Sequence, residues 1–319
     1  MFRGLDGGSP GRLECRLARP EEFADALALI LGAPHLPAPP DQVAEFAQFA
    51  SLRGLDLRDI WVAGLDGRME WATLPLYSPG HTALLLTPGK LPASVDIGPL
   101  IESVCQHAIS KGVHLVQALA DPSDPATAKP FLEGHFRKIA DLLYLQATPP
   151  RNAAPPQLPP GFTLQTYTPQ THDHFSQAIA ESYRDSLDCP ALNGMRTIAD
   201  VIAGHRSSGE FDPATWFLLT EGTTPAAVLL LNRVPRSDMA ELVYLGLSPM
   251  ARGRGIGNLL VRHALAAVCN QMRLAKITLA VDSRNIPALK LYYRHGMQQI
   301  GTKTAMLRDL RTHPARPVT

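Results

Sequence analysis

From residue 161 onward, apolar positions follow two periods in turn, and the switches between them mark out the elements. Alternation or short apolar runs between turn residues predict strands at "GFTLQTYT" (161–168), "TWFLLTEG" (215–222) and "AAVLLLNRV" (226–234). The same reading predicts strands at "AELVYLGLSP" (240–249), "KITLAVD" (276–282) and "MQQIGTKTAMLRDL" (297–310). Helical spacing appears in "HDHFSQAIAESYRDSL" (172–187), with Phe175, Ile179 and Tyr183 on one side, and in "GMRTIADVIAGHRSSG" (194–209). "GIGNLLVRHALAAVCNQM" (255–272) gathers Ile256, Leu259, Leu260, Ala264 and Ala267 on one face. "NIPALKLYYRHG" (285–296) has Asn285 placed to cap its start and Gly296 past its end. The turn "TTP" makes a hairpin of the second and third strands. The order β-α-α-β-β-β-α-β-α-β predicts an α/β fold of the α+β kind, a mixed sheet covered by helices.

The first half repeats this order weakly. "GRLECRLARPEEF" parallels "GFTLQTYTPQTHDHF", and "VDIGPLIESV" parallels "RGIGNLLVRH". "LVQALADPSDPATAKPFLEGHF" parallels "ITLAVDSRNIPALKLYYRHGM", pairing Asp121 with Asp282, Lys129 with Lys290 and Phe131 with Tyr292. Between the halves, "TPPRNAAPPQLPPG" holds three proline pairs, too stiff and donor-poor for a helix or a central strand. The expected organisation is a first domain over 1–147, a linker over 148–160, a second domain over 161–310 and a loose tail over 311–319.

Composition narrows the class. Apolar residues at 45% against 18% charged give enough material for a core. Thirty Lys and Arg against 29 Asp and Glu leave no electrostatic footprint for nucleic acid. Cys15, Cys105, Cys189 and Cys269 lie far apart, which suggests neither a metal site nor a disulfide framework. The opening residues lack the apolar segment of a signal peptide, and no run approaches the length of a membrane span. A soluble, cytoplasmic protein without membrane partner is expected; its oligomeric state is not legible.

The richest local chemistry is "ARGRGIG", Ala251 to Gly257, between a strand and a helix. A dinucleotide fingerprint requires G-x-G-x-x-G, whereas Gly253, Gly255 and Gly257 are spaced G-x-G-x-G. A nucleoside-triphosphate loop requires a lysine that is absent. What the stretch does provide is the start of a helix with unpaired N–H groups, glycines that admit an anion to the backbone, and two arginines with forked donors. That arrangement suits a pyrophosphate.

Arg252-x-x-Gly255-x-Gly257 after "LVYLGLSP" resembles the acyl-CoA signature of the GCN5-related N-acetyltransferase (GNAT) superfamily, [QR]-x-x-G-x-[GA]. "NIPALKLYYRHGM" resembles the later helix of that family, through Asn285, Ala288, Leu291, Tyr292 and Gly296. The resemblance covers about residues 160 to 310, and the doubled layout is similar to two-domain members of the mycothiol-synthase type. It implies two tandem acyl-CoA N-acyltransferase domains and an acetyl-CoA-dependent transfer to a primary amine of a small molecule or peptide. The transfer is expected to be direct, within a ternary complex.

The resemblance also implies roles. Arg252, Gly253, Arg254, Gly255, Ile256 and Gly257 would hold the pyrophosphate, and backbone groups of Leu245 and Leu247 would pair with the pantetheine arm. The N–H of Leu247 would serve the oxyanion, Asn285 would touch the arm besides capping, and Tyr292 would protonate the leaving thiolate. Glu241 would act as base, directly or through water; an exposed strand-end glutamate is the other reading. Alternation puts Glu241, Val243 and Leu245 on one face of their strand. Tyr183, Asp185 and Asp188 would border the amine acceptor, and they read equally well as helix-end and turn residues. His263 and Cys269 read as packing or surface residues.

In the first half, "ASVDIG" aligns with "RGRGIG": Ala93 stands for Arg252, Ser94 for Gly253 and Asp96 for Gly255. A carboxylate facing a pyrophosphate is repulsive, and Phe131 lacks the hydroxyl of Tyr292, so this copy is expected not to bind coenzyme. Two further readings stay open, a non-catalytic acyl-CoA sensor or scaffold and a protein N-terminal acetyltransferase.

Overall fold

The computed structural model describes residues 13–32, 36–65, 67–88 and 96–312. Ala93 and Ser94, and all but the first two residues of the expected tail, lie outside them. The described chain divides into two compact units. One takes the residues up to Tyr77, His81–Lys138 and those from Met306; the other takes Ser78–Gly80 and Ile139–Ala305.

In the first unit the elements are β1 (Leu13–Leu17), α1 (Phe23–Leu31), α2 (Pro40–Leu52), β2 (Trp61–Leu65), β3 (Arg68–Ser78), β4 (Thr82–Leu86), α3 (Gly98–Ser110), β5 (Leu115–Ala120) and α4 (Lys129–Glu133). The strands are ordered β1-β2-β3-β4-β5. The first three pair antiparallel, while β4 and β5 run parallel. Leu27, Ile30 and Val43 of α1 and α2 pack with Val62 and Leu74 in one apolar core. Ile101, Val104 and Cys105 of α3 pack with Trp71 and Phe131 in the other.

The second unit begins within β6 (Arg137–Ala147) and continues with β7 (Phe162–Thr166), α5 (His172–Ser182), α6 (Ile198–Ser207), β8 (Trp216–Glu221) and β9 (Thr224–Arg233). It is completed by β10 (Met239–Leu247), α7 (Ile256–Ala266), β11 (Lys276–Asp282), α8 (Ile286–Arg294) and most of β12 (Gln298–Asp309). This is the order read from the periodicity, in a mixed sheet. Strands β7 to β10 pair antiparallel in sequence, and β10 pairs parallel with β11. Phe175 and Ile179 of α5 and Val201 and Ile202 of α6 bury one face with Trp216 and Leu230. Leu260 and Ala264 of α7 and Leu289 of α8 bury the other with Leu229, Ile277 and Leu279.

Three expectations are corrected. The domain boundaries at 147 and 310 give way to 138 and 305, because Ile277 to Asp282 of β11 pair antiparallel with Leu142 to Ala147 of β6. That pairing satisfies the edge of β11, which would otherwise present unbonded N–H and C=O groups. The last strand residues, Met306 and Leu310, join the core of the first unit, where buried Arg308 is held by Glu102 at 2.7 and 3.1 Å. Helix α5 ends at Ser182 rather than 187, and the chain turns through Asp185 at φ 53°. The helix expected over 255–272 is α-helical only to Ala266 and continues as a π-helical turn over Ala267–Gln271. No helix among the described residues is long and apolar enough to cross a membrane.

Candidate active site

Strands β10 and β11 pair at three positions, Met239 with Lys276, Ala240 with Ile277 and Glu241 with Thr278. Beyond these the pairing stops although both strands continue. They splay, and a cavity of about 500 Å³ opens between them, walled by Leu242 to Leu247 and by Leu279 to Val281. Helix α8 contributes Ala288, Leu291 and Tyr292, and the turn after α5 contributes Asp185 and Asp188. Arg252, Gly253 and Gly257 wall it beside the glycine-rich turn.

A bulge shapes the fork. The register of β10 on β9 shifts between Leu242 and Tyr244. One extra residue resets the alternation, so the expected face of Glu241, Val243 and Leu245 does not exist. Leu242, Leu245 and Leu247 pack toward α7 and α8, whereas Val243 and Tyr244 pack toward α5 and α6. Past the bulge the strand is regular, and the N–H of Ser248 bonds to the carbonyl of Ala226 at 2.9 Å. By alternation the N–H groups of Leu245 and Leu247 point the other way, into the fork. An extended ligand arm can pair there as an added strand.

The glycine-rich turn divides its work differently from the sequence expectation. Gly253 and Gly255 adopt φ 73° and 79°, the left-handed backbone that glycine takes without strain. Among the described residues, no hydrogen bond occupies the N–H groups from Gly253 to Asn258, so the start of α7 is open to an anion. Gly257 has another reason: a Cβ there would lie 3.1 Å from Leu291 of α8. The arginines are already engaged. The Arg252 guanidinium donates to the carbonyls of Ser182 (2.9 Å), Arg184 (2.7 Å), Asp185 (3.2 Å) and Leu247 (3.2 Å). It therefore holds the end of α5 and also occupies the carbonyl of Leu247, one of the two residues whose backbone groups were expected to pair with the ligand arm. Arg254 forms a forked, solvent-exposed pair with Glu221 at 2.8 Å and lies over the Phe162 ring. The donors left free at this turn are backbone N–H groups, not these side chains.

Tyr292 stands on the cavity wall with 7% of its surface exposed. Burial, with Asp188 nearby, pushes its phenol well above the ordinary range, so it stays protonated. Asn285 caps α8 through the N–H of Ala288 at 3.3 Å and also faces the cavity. Asp188 accepts the N–H of Asp282 at 3.0 Å, and burial raises its carboxyl above the usual range. Tyr183 is not on the wall; its ring meets Tyr244, which is, edge to face at 5.8 Å. Glu241 is not on the wall either. It occupies the root of the fork, and its carboxylate accepts the Ser208 hydroxyl at 2.9 Å. Arg254 and Gly255 in the turn, and Ile256 at the first position of α7, are not on the wall.

Ser182, Tyr244 and Gly246 belong to the wall and escaped the sequence reading. The hydroxyls of Ser182 and Tyr244 meet at 2.7 Å, directly against Gly246, where any Cβ would clash at 2.5 Å with both side chains. The glycine in an otherwise bulky strand was the available signal, since such a residue marks a close approach.

Residues 179–297 match the acetyltransferase (GNAT) family. A mycothiol acetyltransferase of Salinispora tropica is 30% identical over 189 residues, covering 57% of this chain and 59% of that protein. That of Mycolicibacterium gilvum is 29% identical over 155 residues, covering 46% and 51%. The chain thus spans between half and three-fifths of the length of these relatives. A GCN5-related N-acetyltransferase from Sphaerobacter thermophilus superposes over 97% of this chain and 98% of its own, at TM-score 0.61 and 18% identity. A tandem GNAT protein from the clavulanic acid biosynthesis pathway covers 97% and 100%, at TM-score 0.56 and 17% identity. The fold is that of tandem GNAT proteins.

Proposed function

We propose that this chain, whose residues 179–297 form a GNAT-family domain, transfers an acetyl group from acetyl-CoA to a primary amine of a small molecule or peptide. The observation that carries the reading is the fork: strands β10 and β11 part after Glu241, and the N–H groups of Leu245 and Leu247 face the gap. The residues present suit the coenzyme. The open N–H groups ahead of α7 take its diphosphate, and the fork takes its pantetheine arm as an added strand. Asn285, on the wall beside that arm, lends its amide.

Acetyl transfer then asks for an oxyanion donor and a proton for the leaving thiolate. The N–H of Leu247 supplies the first, preorganised by the bulge above it. Tyr292 supplies the second, its phenol kept neutral by burial at the cavity wall. Asp185 and Asp188 border the space for the cationic acceptor. The first unit takes no coenzyme in this reading. Its parallel pair β4 and β5 is closed from Thr82–Leu115 to Leu85–Ala118, and the Asp96 carboxylate already accepts the N–H of Gly98 at 2.9 Å.

A thiol-release assay with acetyl-CoA and a panel of primary amines tests the proposal. Thiol release matched by an amide product in mass spectrometry is expected with at least one amine. Tight acetyl-CoA binding without release on any amine contradicts it and fits a sensor.

A further inference from the structure

We infer that Asp188 takes the proton from the acceptor's ammonium group, a role that rests on the acetyl-transfer reading above. Three buried or half-buried carboxylates stand near the fork: Asp282 is paired with Arg284, and the other two differ in where they face. Glu241, expected as the base, is turned to Ser208 and is not on the cavity wall. Asp188 shares the wall with Tyr292. Its position is set from two sides, by the N–H of Asp282 at 3.0 Å and by the side chain of Asn285. Those contacts hold the carboxyl without neutralising it, because no lysine or arginine among the described residues pairs with Asp188. Arg284 is committed to Asp282 at 2.6 Å, and Arg252, on the same wall, is spent on the carbonyls of Ser182, Arg184, Asp185 and Leu247.

Apart from Arg252 on the wall and Arg196, whose charge also reaches Tyr183, the groups facing Asp188 are neutral or acidic. Tyr183 faces it from the end of α5, Tyr244 from β10, Tyr292 from α8, Asp282 from the end of β11, and Cys189 adjoins it in the chain. A cation is the missing partner, and an entering ammonium provides it. Asp185, also on the wall, is exposed and lacks this enclosure. Burial raises the Asp188 carboxyl toward the pH at which a base is useful.

The protons balance. The ammonium gives one proton to the Asp188 carboxylate, and the free amine attacks the thioester carbonyl. The C–N bond forms, the C–S bond breaks, and the thiolate takes the proton of Tyr292. The second proton on nitrogen returns to Tyr292 as the amide forms, and Asp188 releases its proton to solvent.

The test uses the full chain with glucosamine, cysteamine and glycylglycine as amines, following kcat against pH and acetyl-CoA affinity by calorimetry. Asp188→Asn keeps an oxygen for the N–H of Asp282. It is expected to bind acetyl-CoA like the wild type and to lose about 100-fold in kcat near neutrality. The acid limb that the carboxylate sets should give way to a rise that follows the amine's own ionisation, so that the deficit shrinks toward about pH 10, where the amine is already free. Asp188→Glu should restore part of the rate and the limb. In Glu241→Gln the limb should persist. A deficit in Asp188→Asn that stays constant with pH overturns the assignment, as does a limb that survives there and disappears in Glu241→Gln. Failure of the wild type on every amine is a separate result that removes the acetyl-transfer reading, and this role with it.

Discussion

The two units carry aligned sequence positions at the start of aligned helices and end with opposite surfaces. Ahead of α7, Gly255 at φ 79° leaves the helix start open. Ahead of α3, Asp96 fills the aligned position, and its own carboxylate sits on the N–H of Gly98. A carboxylate has thus taken a place that an anionic ligand would need. The strands differ in the same sense. In the first unit β4 pairs with β5 at four of its five residues; in the second, β10 pairs with β11 at three of nine. The helix that follows carries buried Phe131 in one and Tyr292 in the other. In the proposed reading, the closed strand pair and the self-capped helix start are what keep coenzyme from the first unit, while the layers of the fold remain.

Exchanging features between the units sharpens this contrast. Tyr292→Phe gives the second unit the ring of the first, and kcat should fall about 100-fold with acetyl-CoA affinity little changed. Steady-state kinetics beside calorimetry checks both halves of that statement. Gly255→Asp copies Asp96; with like charges opposed, acetyl-CoA binding should weaken by about 100-fold. Gly255→Asn accepts the same left-handed backbone without the charge and should keep most of the affinity. Equal losses in the two variants would assign the effect to the backbone instead.

Arg252→Ala addresses the arginine whose partners are carbonyls. Without coenzyme it should lower stability by about 2 kcal/mol in urea unfolding, because the carbonyls at the end of α5 lose a charged donor. An arginine serving only a phosphate would leave the stability of the free protein unchanged. The smallest effect is expected from Asp96→Ala, about 0.5–1 kcal/mol from the lost contact at the start of α3. It should not create coenzyme binding in the first unit, since β4 and β5 remain paired.

What the sequence disclosed was local. Gly253 and Gly257 of the turn, the cap Asn285 and the helix carrying Tyr292 lie within a few residues of the signals that reveal them, and the structure brings them to one cavity. The alternation of helix and strand was equally local, and it yielded the element order. What escaped depends on distant partners. Arg252 reads as a phosphate ligand until the end of α5, nearly seventy residues earlier, is found against its guanidinium. Arg254 is spoken for by Glu221 on β8. The face of Glu241 depends on a bulge that appears only when β10 is set against β9. The unit boundaries moved because a strand edge chooses its partner by open hydrogen bonds, whatever the distance along the chain.

The central claim is that the opened pair of strands and the bare turn beside it form the coenzyme site, and that the closed pair does not. Calorimetric titration of the full chain with acetyl-CoA tests it most directly. One equivalent per chain, weakened about 100-fold by Gly255→Asp and untouched by Asp96→Ala, is the predicted result. Two equivalents, or one that survives Gly255→Asp at full affinity, would contradict it.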